Sequence, residues 1–114
     1  MKETRYTIIG AGHGGKAMAA DLAVRGFPVT LFNRTAERIR DIAIRGEIEL
    51  EYEDGTLRRG KMARVTGDID KALQDADVIM VVLPACGHAD VARMCAPYLQ
   101  DGQIVVLNPG RTGG

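Results

Sequence analysis

The sequence predicts an α/β chain in which helices flank a doubly wound parallel sheet. Three observations predict it. Short apolar runs of strand length alternate with segments whose apolar residues recur at helical spacing. One run, Val78 to Leu83, is apolar at every position, as a parallel strand covered on both faces requires. A glycine cluster, Gly10-Ala11-Gly12-His13-Gly14-Gly15, follows the first strand directly and opens the first helix. Together these read as a Rossmann-type fold. The 114 residues suffice for one domain, spanning 1–114, with a single core. Aromatics make up only 4% against 46% hydrophobic residues, so that core must be built from Ile, Val, Leu, Met and Ala.

The elements follow in order. Thr4 to Ile9 reads as the first strand. The helix after the glycines runs to about Arg25, with Gly15, Met18, Ala19 and Leu22 as its buried stripe, and Gly26 ends it. Val29 to Phe32 is the second strand. Thr35 is placed to N-cap a second helix whose stripe is Ile39, Ile42 and Ala43, and Gly46 stops it. Residues 47–62 then break the rhythm. Ile48, Leu50 and Tyr52 alternate with Glu49, Glu51 and Glu53, which is strand periodicity. Asp54-Gly55 signals a turn, and the return limb carries Arg58, Arg59 and Lys61. A small antiparallel excursion is expected here, its basic residues facing the glutamates across the ladder as a solvated surface. A third parallel strand follows near Ala63 to Val65. Asp68 is placed to cap a short helix with Ile69, Ala72 and Leu73 inward. Pro84 ends the 78–83 strand, a helix covers about His88 to Ala96, and Asp101-Gly102 turns into a last strand from Gln103 to Leu107. The glycine-rich end, Asn108 to Gly114, reads as a loop cut short.

Composition and charge exclude several functions. Fifteen basic residues balance fifteen acidic ones, so no global field favours nucleic acid, and few aromatics are available for base stacking. Anion binding must come from a local arrangement. Cys86 and Cys95 lack metal-ligand spacing, and nine residues of helical rise would part them by roughly 13 Å, too far for a disulfide. No metal site is expected. The N-terminal apolar run stops at Gly10, too short for a membrane span or signal peptide. The expectation is a reduced, cytoplasmic protein with neither membrane nor nucleic-acid partner.

The glycine cluster satisfies G-x-G-x-x-G in the strand-to-helix setting its mechanism needs. Gly10 permits the tight turn, Gly12 removes a Cβ that would block a pyrophosphate, and Gly15 lets helix and strand pack closely. The helix N-terminus then presents N–H groups and a positive dipole end to the phosphates. Ala11, His13 and Gly14 complete the loop, with His13 contributing backbone and possessing no assigned catalytic role. Lys16 is expected in solvent.

About twenty residues on, an NAD-specific domain usually carries an acid that accepts from the ribose hydroxyls. Here the position holds Asn33, followed by Arg34 and Thr35, with Arg38 one turn further. A carboxylate would repel a 2′-phosphate, whereas an amide, a hydroxyl and two guanidinium groups would bind it. The group favours NADP over NAD. Its Asn-Arg-Thr-x-x-Arg arrangement resembles the NADP-binding patch of shikimate dehydrogenases.

Ligands of open α/β sheets lie outside the carboxyl ends of the strands. Leu83-Pro84-Ala85 and Asn108-Pro109-Gly110 occupy two such ends, and their backbones are expected along the nicotinamide-ribose side. Cys86 has no placed base that would make it a nucleophile. His88 is expected to support the next helix start.

Taken with Val82-Leu83-Pro84-Ala85, His88-Ala89-Asp90-Val91-Ala92 and Asn108-Pro109-Gly110-Arg111-Thr112-Gly113-Gly114, the glycine loop makes the whole chain resemble the opine dehydrogenase family, the octopine and nopaline dehydrogenases. That resemblance implies an intact enzyme which condenses an amino acid with a 2-oxo acid and reduces the imine with NAD(P)H. It also implies a second, largely helical domain holding the catalytic histidine and acid, and leaves a homodimer of the intact enzyme open. No position here matches those catalytic residues, so this chain alone is expected to bind cofactor without turnover. The other readings are the cofactor domain of a ketopantoate reductase or a glycerol-3-phosphate dehydrogenase, or a non-catalytic nucleotide-sensing module.

Overall fold

Five strands form one parallel sheet in a computed structural model that describes residues 3–83 and 87–109, without the side chains of residues 36, 38, 108 and 109. The strands are β1 (Tyr6–Ile9), β2 (Val29–Phe32), β5 (Arg64–Thr66), β6 (Val78–Leu83) and β7 (Ile104–Pro109), in spatial order β5-β2-β1-β6-β7. Strand order reverses between β1 and β6, whose pairing sets Tyr6 beside Val78 and Ile9 beside Val81. That reversal opens a crevice at the carboxyl end of β1.

Alternation along the strands sends side chains into two cores. Ile9, Phe32, Ile79 and Val81 enter one, under α3 (Ile69–Leu73) and α4 (His88–Cys95), where Ala72, Leu73, Val91 and Cys95 meet them. Ile8, Val29 and Leu31 enter the other, under α1 (His13–Val24) and α2 (Ala36–Arg45), where Ala19, Ile39 and Ile42 cover them. Both faces of the central strands are therefore dry, which accounts for the uninterrupted apolar run of β6. Thr7 is buried on β1, and its hydroxyl is satisfied by donating to the Ala72 carbonyl at 2.6 Å.

The expected excursion is a separate two-stranded ribbon of β3 (Glu47–Glu51) and β4 (Leu57–Lys61). Its turn is closed by the Asp54 carboxylate, which accepts from the Thr56 N–H at 2.9 Å; that bond holds the Asp54 pKa below its ordinary value. The ladder only partly meets the expected charge pairing. Arg59 reaches Glu47 and Glu49 at 3.6 and 3.8 Å, but Arg58 stands opposite Leu50. Register decides this: Arg59 and Lys61 stand opposite Glu49 and Glu47 and share their face, while Arg58, next to Arg59, points to the other face. The ribbon docks on α1 through Gly60, where an added Cβ would lie 2.6 Å from the Ala20 carbonyl oxygen.

Several boundaries and caps differ from expectation. β1 begins at Tyr6, where pairing with β2 and β6 begins, and not at Thr4. β5 runs one residue later than expected, and β7 runs from Ile104 to Pro109, held to β6 as far as the Leu83–Pro109 pair. Thr35 and Asp68 occupy N-cap positions, but neither side chain makes a capping bond; the Asp68 N–H instead donates to the Thr66 hydroxyl. Ala43 is exposed, so among the described side chains the buried stripe of α2 is Ile39 and Ile42. Gly46 ends α2 in the left-handed region at φ 71°, as its type suggests. A 3₁₀ turn, Ala96–Tyr98, extends α4. No described helix is long and apolar enough to cross a membrane.

Candidate cofactor-binding site

The glycine loop lies across the carboxyl end of β1. Gly10 has φ 115°, and its N–H donates to the Phe32 carbonyl at 2.9 Å. A Cβ there would strike the Val82 carbonyl, and one on Gly15 would overlap the Gly10 carbonyl. Those two glycines are dictated by the protein's own packing. Gly12 is different. It N-caps α1 at φ −77°, and an added Cβ would meet nothing within 4 Å. Its missing side chain leaves open a concavity of about 240 Å³ lined by Ala11, Gly12, His13 and Lys16. The first turn of α1 contains no acid, and its N–H groups have no intrahelical acceptor. The concavity thus presents aligned donors and one ammonium group to an anion. Lys16, expected in solvent, is half-buried on its wall, four residues along the helix from Gly12.

On the other side of β1 is a cleft of about 180 Å³. The end of β2 supplies Phe32, Asn33 and Arg34, while α4 supplies Asp90, Val91 and Met94; Ile9, Gly10, Leu83 and Gly87 close its base. The Asn33 amide is engaged at both ends, accepting from the Ala11 N–H and donating to the Thr35 carbonyl, each at 3.1 Å. Arg34 reaches over the cleft, its Nη2 4.0 Å from the Met94 sulfur. Thr35 is exposed at the head of α2. The lining is apolar apart from the Asn33 amide, the Arg34 guanidinium and the Asp90 carboxylate, which lies 3.9 Å from Arg93, and it suits a flat heteroaromatic ring with an anionic substituent on the Arg34 side.

The α4 wall is what sequence reasoning missed. Residues 87, 90, 91 and 94 share one helical face, and that spacing is present in the sequence; the side of the sheet to which it turns is set by packing. Leu83 is the last residue of β6 and lines the cleft. Pro109 pairs with Leu83 at the end of β7. Pro84, Ala85 and Cys86 lie outside the described residues, as does the Arg38 side chain. His88 does not cap α4; from its first turn Nε2 donates back to the Leu83 carbonyl of β6 at 3.1 Å, and the residue lines an apolar hollow beneath α4 with Cys95. Burial pushes the Cys95 thiol up from its ordinary value, which makes it a packing residue. Among the described residues no cluster of His, Cys, Asp or Glu could hold a metal ion.

The chain is 43% identical over 109 residues to an opine dehydrogenase from Arthrobacter sp. (strain 1C), covering 96% of this chain and 30% of that protein. It is 33% identical over 107 residues to an NAD(P)+ glycerol-3-phosphate dehydrogenase of Acinetobacter baumannii, covering 93% of this chain and 29% of that one. An octopine dehydrogenase solved with NADH and L-arginine matches 96% of this chain and 29% of its own at a TM-score of 0.76 and 26% identity. The chain therefore spans under a third of the length of these relatives. The family model of the NAD-dependent glycerol-3-phosphate dehydrogenase N-terminus matches residues 5–109, and the chain belongs to that family.

Proposed function

We propose that this chain is the cofactor-binding domain of an opine-dehydrogenase-type reductase and takes NADPH in preference to NADH. The residues present fit a nicotinamide dinucleotide. The concavity over Gly12 matches a pyrophosphate, since packing alone would tolerate a side chain there. When bound, such a cofactor supplies a hydride. The chain's own part is to bind and orient: first-turn N–H groups and Lys16 hold the pyrophosphate, and the apolar cleft holds the adenine. The backbone at Leu83 and Pro109 flanks the nicotinamide side.

The observation that carries the NADPH preference is the rim at the end of β2, where position 33 is an amide and Arg34 spans the cleft. A 2′-phosphate there meets a guanidinium, and no carboxylate at position 33 opposes it. Titration with NADPH and NADH at matched ionic strength tests this. Arg34→Ala should cost on the order of 1.5–3 kcal/mol of NADPH affinity, roughly ten- to a hundredfold, and leave NADH nearly unchanged. Tighter binding of NADH by the unaltered chain would overturn the preference.

The opine reading rests on the 43% relative. In it, residues 1–114 form one domain, the catalytic acid and base lie on a second domain, and this chain by itself binds without turnover. The intact enzyme is a cytoplasmic reductase, open to homodimer formation, that joins an amino acid to a 2-oxo acid. A glycerol-3-phosphate dehydrogenase is the second reading, favoured by the family model. Assay of the longer protein with an amino acid plus a 2-oxo acid, against dihydroxyacetone phosphate, separates the two.

A further inference from the structure

We propose that Asn33 is a positioning residue for the whole dinucleotide site, one amide that pins the glycine loop to the head of α2 and so serves NADH and NADPH alike. The proposal rests on the site holding a nicotinamide dinucleotide, and is independent of which one is preferred. Asn33 Oδ1 accepts from the N–H of Ala11, 22 residues back in the chain and buried between Gly10 and Gly12. Its Nδ2 donates to the carbonyl of Thr35, the N-cap residue of α2.

Two features make this a specific device. First, the amide orientation is fixed: turning it over would set Nδ2 against the Ala11 N–H and Oδ1 against the Thr35 carbonyl, breaking both bonds at once. Second, the end of β2 takes up the first two N–H groups of the loop, Gly10 through the Phe32 carbonyl and Ala11 through the Asn33 side chain. The donors left for phosphate begin later, in the first turn of α1. Removing the amide strands a buried N–H and leaves the Gly10 N–H on the Phe32 carbonyl to hold the loop to the strand beneath it. The carboxylate found here in NAD-specific domains could satisfy only half of this arrangement. One oxygen would accept from Ala11, while the other would face the Thr35 carbonyl, acceptor against acceptor. The absence of an acid at position 33 thus has a cause in the chain itself, apart from any 2′-phosphate.

The test is fluorescence titration of both dinucleotides against the unaltered chain, Asn33→Ala and Asn33→Asp, with thermal unfolding and amide exchange at Ala11 measured on the free proteins. In Asn33→Ala both dissociation constants should rise by a similar factor, about three- to tenfold, and exchange at Ala11 should quicken, with the unfolding temperature lowered only by the several degrees that a stranded N–H costs. In Asn33→Asp the Ala11 amide should regain protection, and NADH affinity should recover towards that of the unaltered chain while NADPH affinity does not. A loss confined to NADPH in Asn33→Ala would make Asn33 a direct phosphate ligand and overturn the proposal, as would no loss with either dinucleotide. Should Asn33→Ala fail to fold, Asn33→Asp decides alone: an unprotected Ala11 amide or NADH binding weakened as much as NADPH overturns it. Arg34→Ala reports separately on the NADPH preference, and an unaltered chain that binds neither dinucleotide overturns both readings.

Discussion

Gly12 and Gly15 lack side chains for different reasons, and the difference can be measured. A methyl group on Gly15 would occupy the position of the Gly10 carbonyl, so Gly15→Ala must push α1 away from the end of β1. We expect a loss of about 1–3 kcal/mol in urea unfolding, with cofactor binding lost through the displaced loop. Gly12→Ala meets only open space at an ordinary φ of −77°. Its stability should stay within about 0.5 kcal/mol of the unaltered chain. Its affinity for NADH and NADPH should still fall about tenfold or more, because the methyl enters the space proposed for the pyrophosphate. A Gly12→Ala chain that binds as well as the unaltered one would mean that the phosphates lie elsewhere. At this scale the glycine loop was legible in sequence because its mechanism is local, six consecutive residues between a strand and a helix. The Asn33 clamp was not, since a side chain reaching a backbone N–H 22 residues away leaves no spacing to read.

Elements were legible wherever burial follows the period of the element. Ile8 and Ile9 part to opposite cores, as do Leu31 and Phe32, and period-two reasoning anticipates dry surfaces on both sides of such strands. Pattern reasoning failed at Ala43 on α2, which is exposed beside the buried Ile39 and Ile42; a small residue next to a stripe does not reveal which way the helix is turned. It also failed at Arg58, since register across a hairpin follows from the turn, and Asp54 to Thr56 set it. The ribbon's attachment is a case in which one residue governs an element. Gly60 sits on α1 so closely that a Cβ would lie 2.6 Å from the Ala20 carbonyl oxygen and 2.9 Å from the Ala23 Cβ. Gly60→Ala should lift β3 and β4 from the helix at a cost of about 1–3 kcal/mol in chemical denaturation. Removing the exposed ion pairs with Arg59→Ala should cost well under about 1 kcal/mol. If Arg59→Ala proved the more damaging, charge and not close packing would hold the ribbon.

At the scale of the whole molecule, the layers cover the sheet unevenly. β1 and β2 are enclosed on both faces, and β6 is largely enclosed, but β7 pairs with β6 alone in the described sheet. Ile104, Val105, Val106 and Leu107 are each between 37% and 58% exposed. Val105 and Leu107 border the hollow beneath α4, so alternation sends Ile104 and Val106 to the opposite face. A strand that is apolar on both faces and unpaired along one edge invites association with another chain. We therefore expect this 114-residue chain to self-associate as its concentration rises from micromolar towards millimolar, followed by sedimentation velocity. A double substitution, Ile104→Lys with Val106→Lys, puts charge on that face without touching either core. It should keep the chain monomeric over the same range while changing unfolding free energy by no more than about 1 kcal/mol. NADH and NADPH affinities should be unchanged, because the glycine loop and the cleft are bounded by β1, β2, β6, α1 and α4. If the unaltered chain stays monomeric throughout, the exposed face is too small to drive association. If the double variant loses cofactor binding with its fold intact, β7 shapes the site beyond the backbone pairing of Leu83 with Pro109.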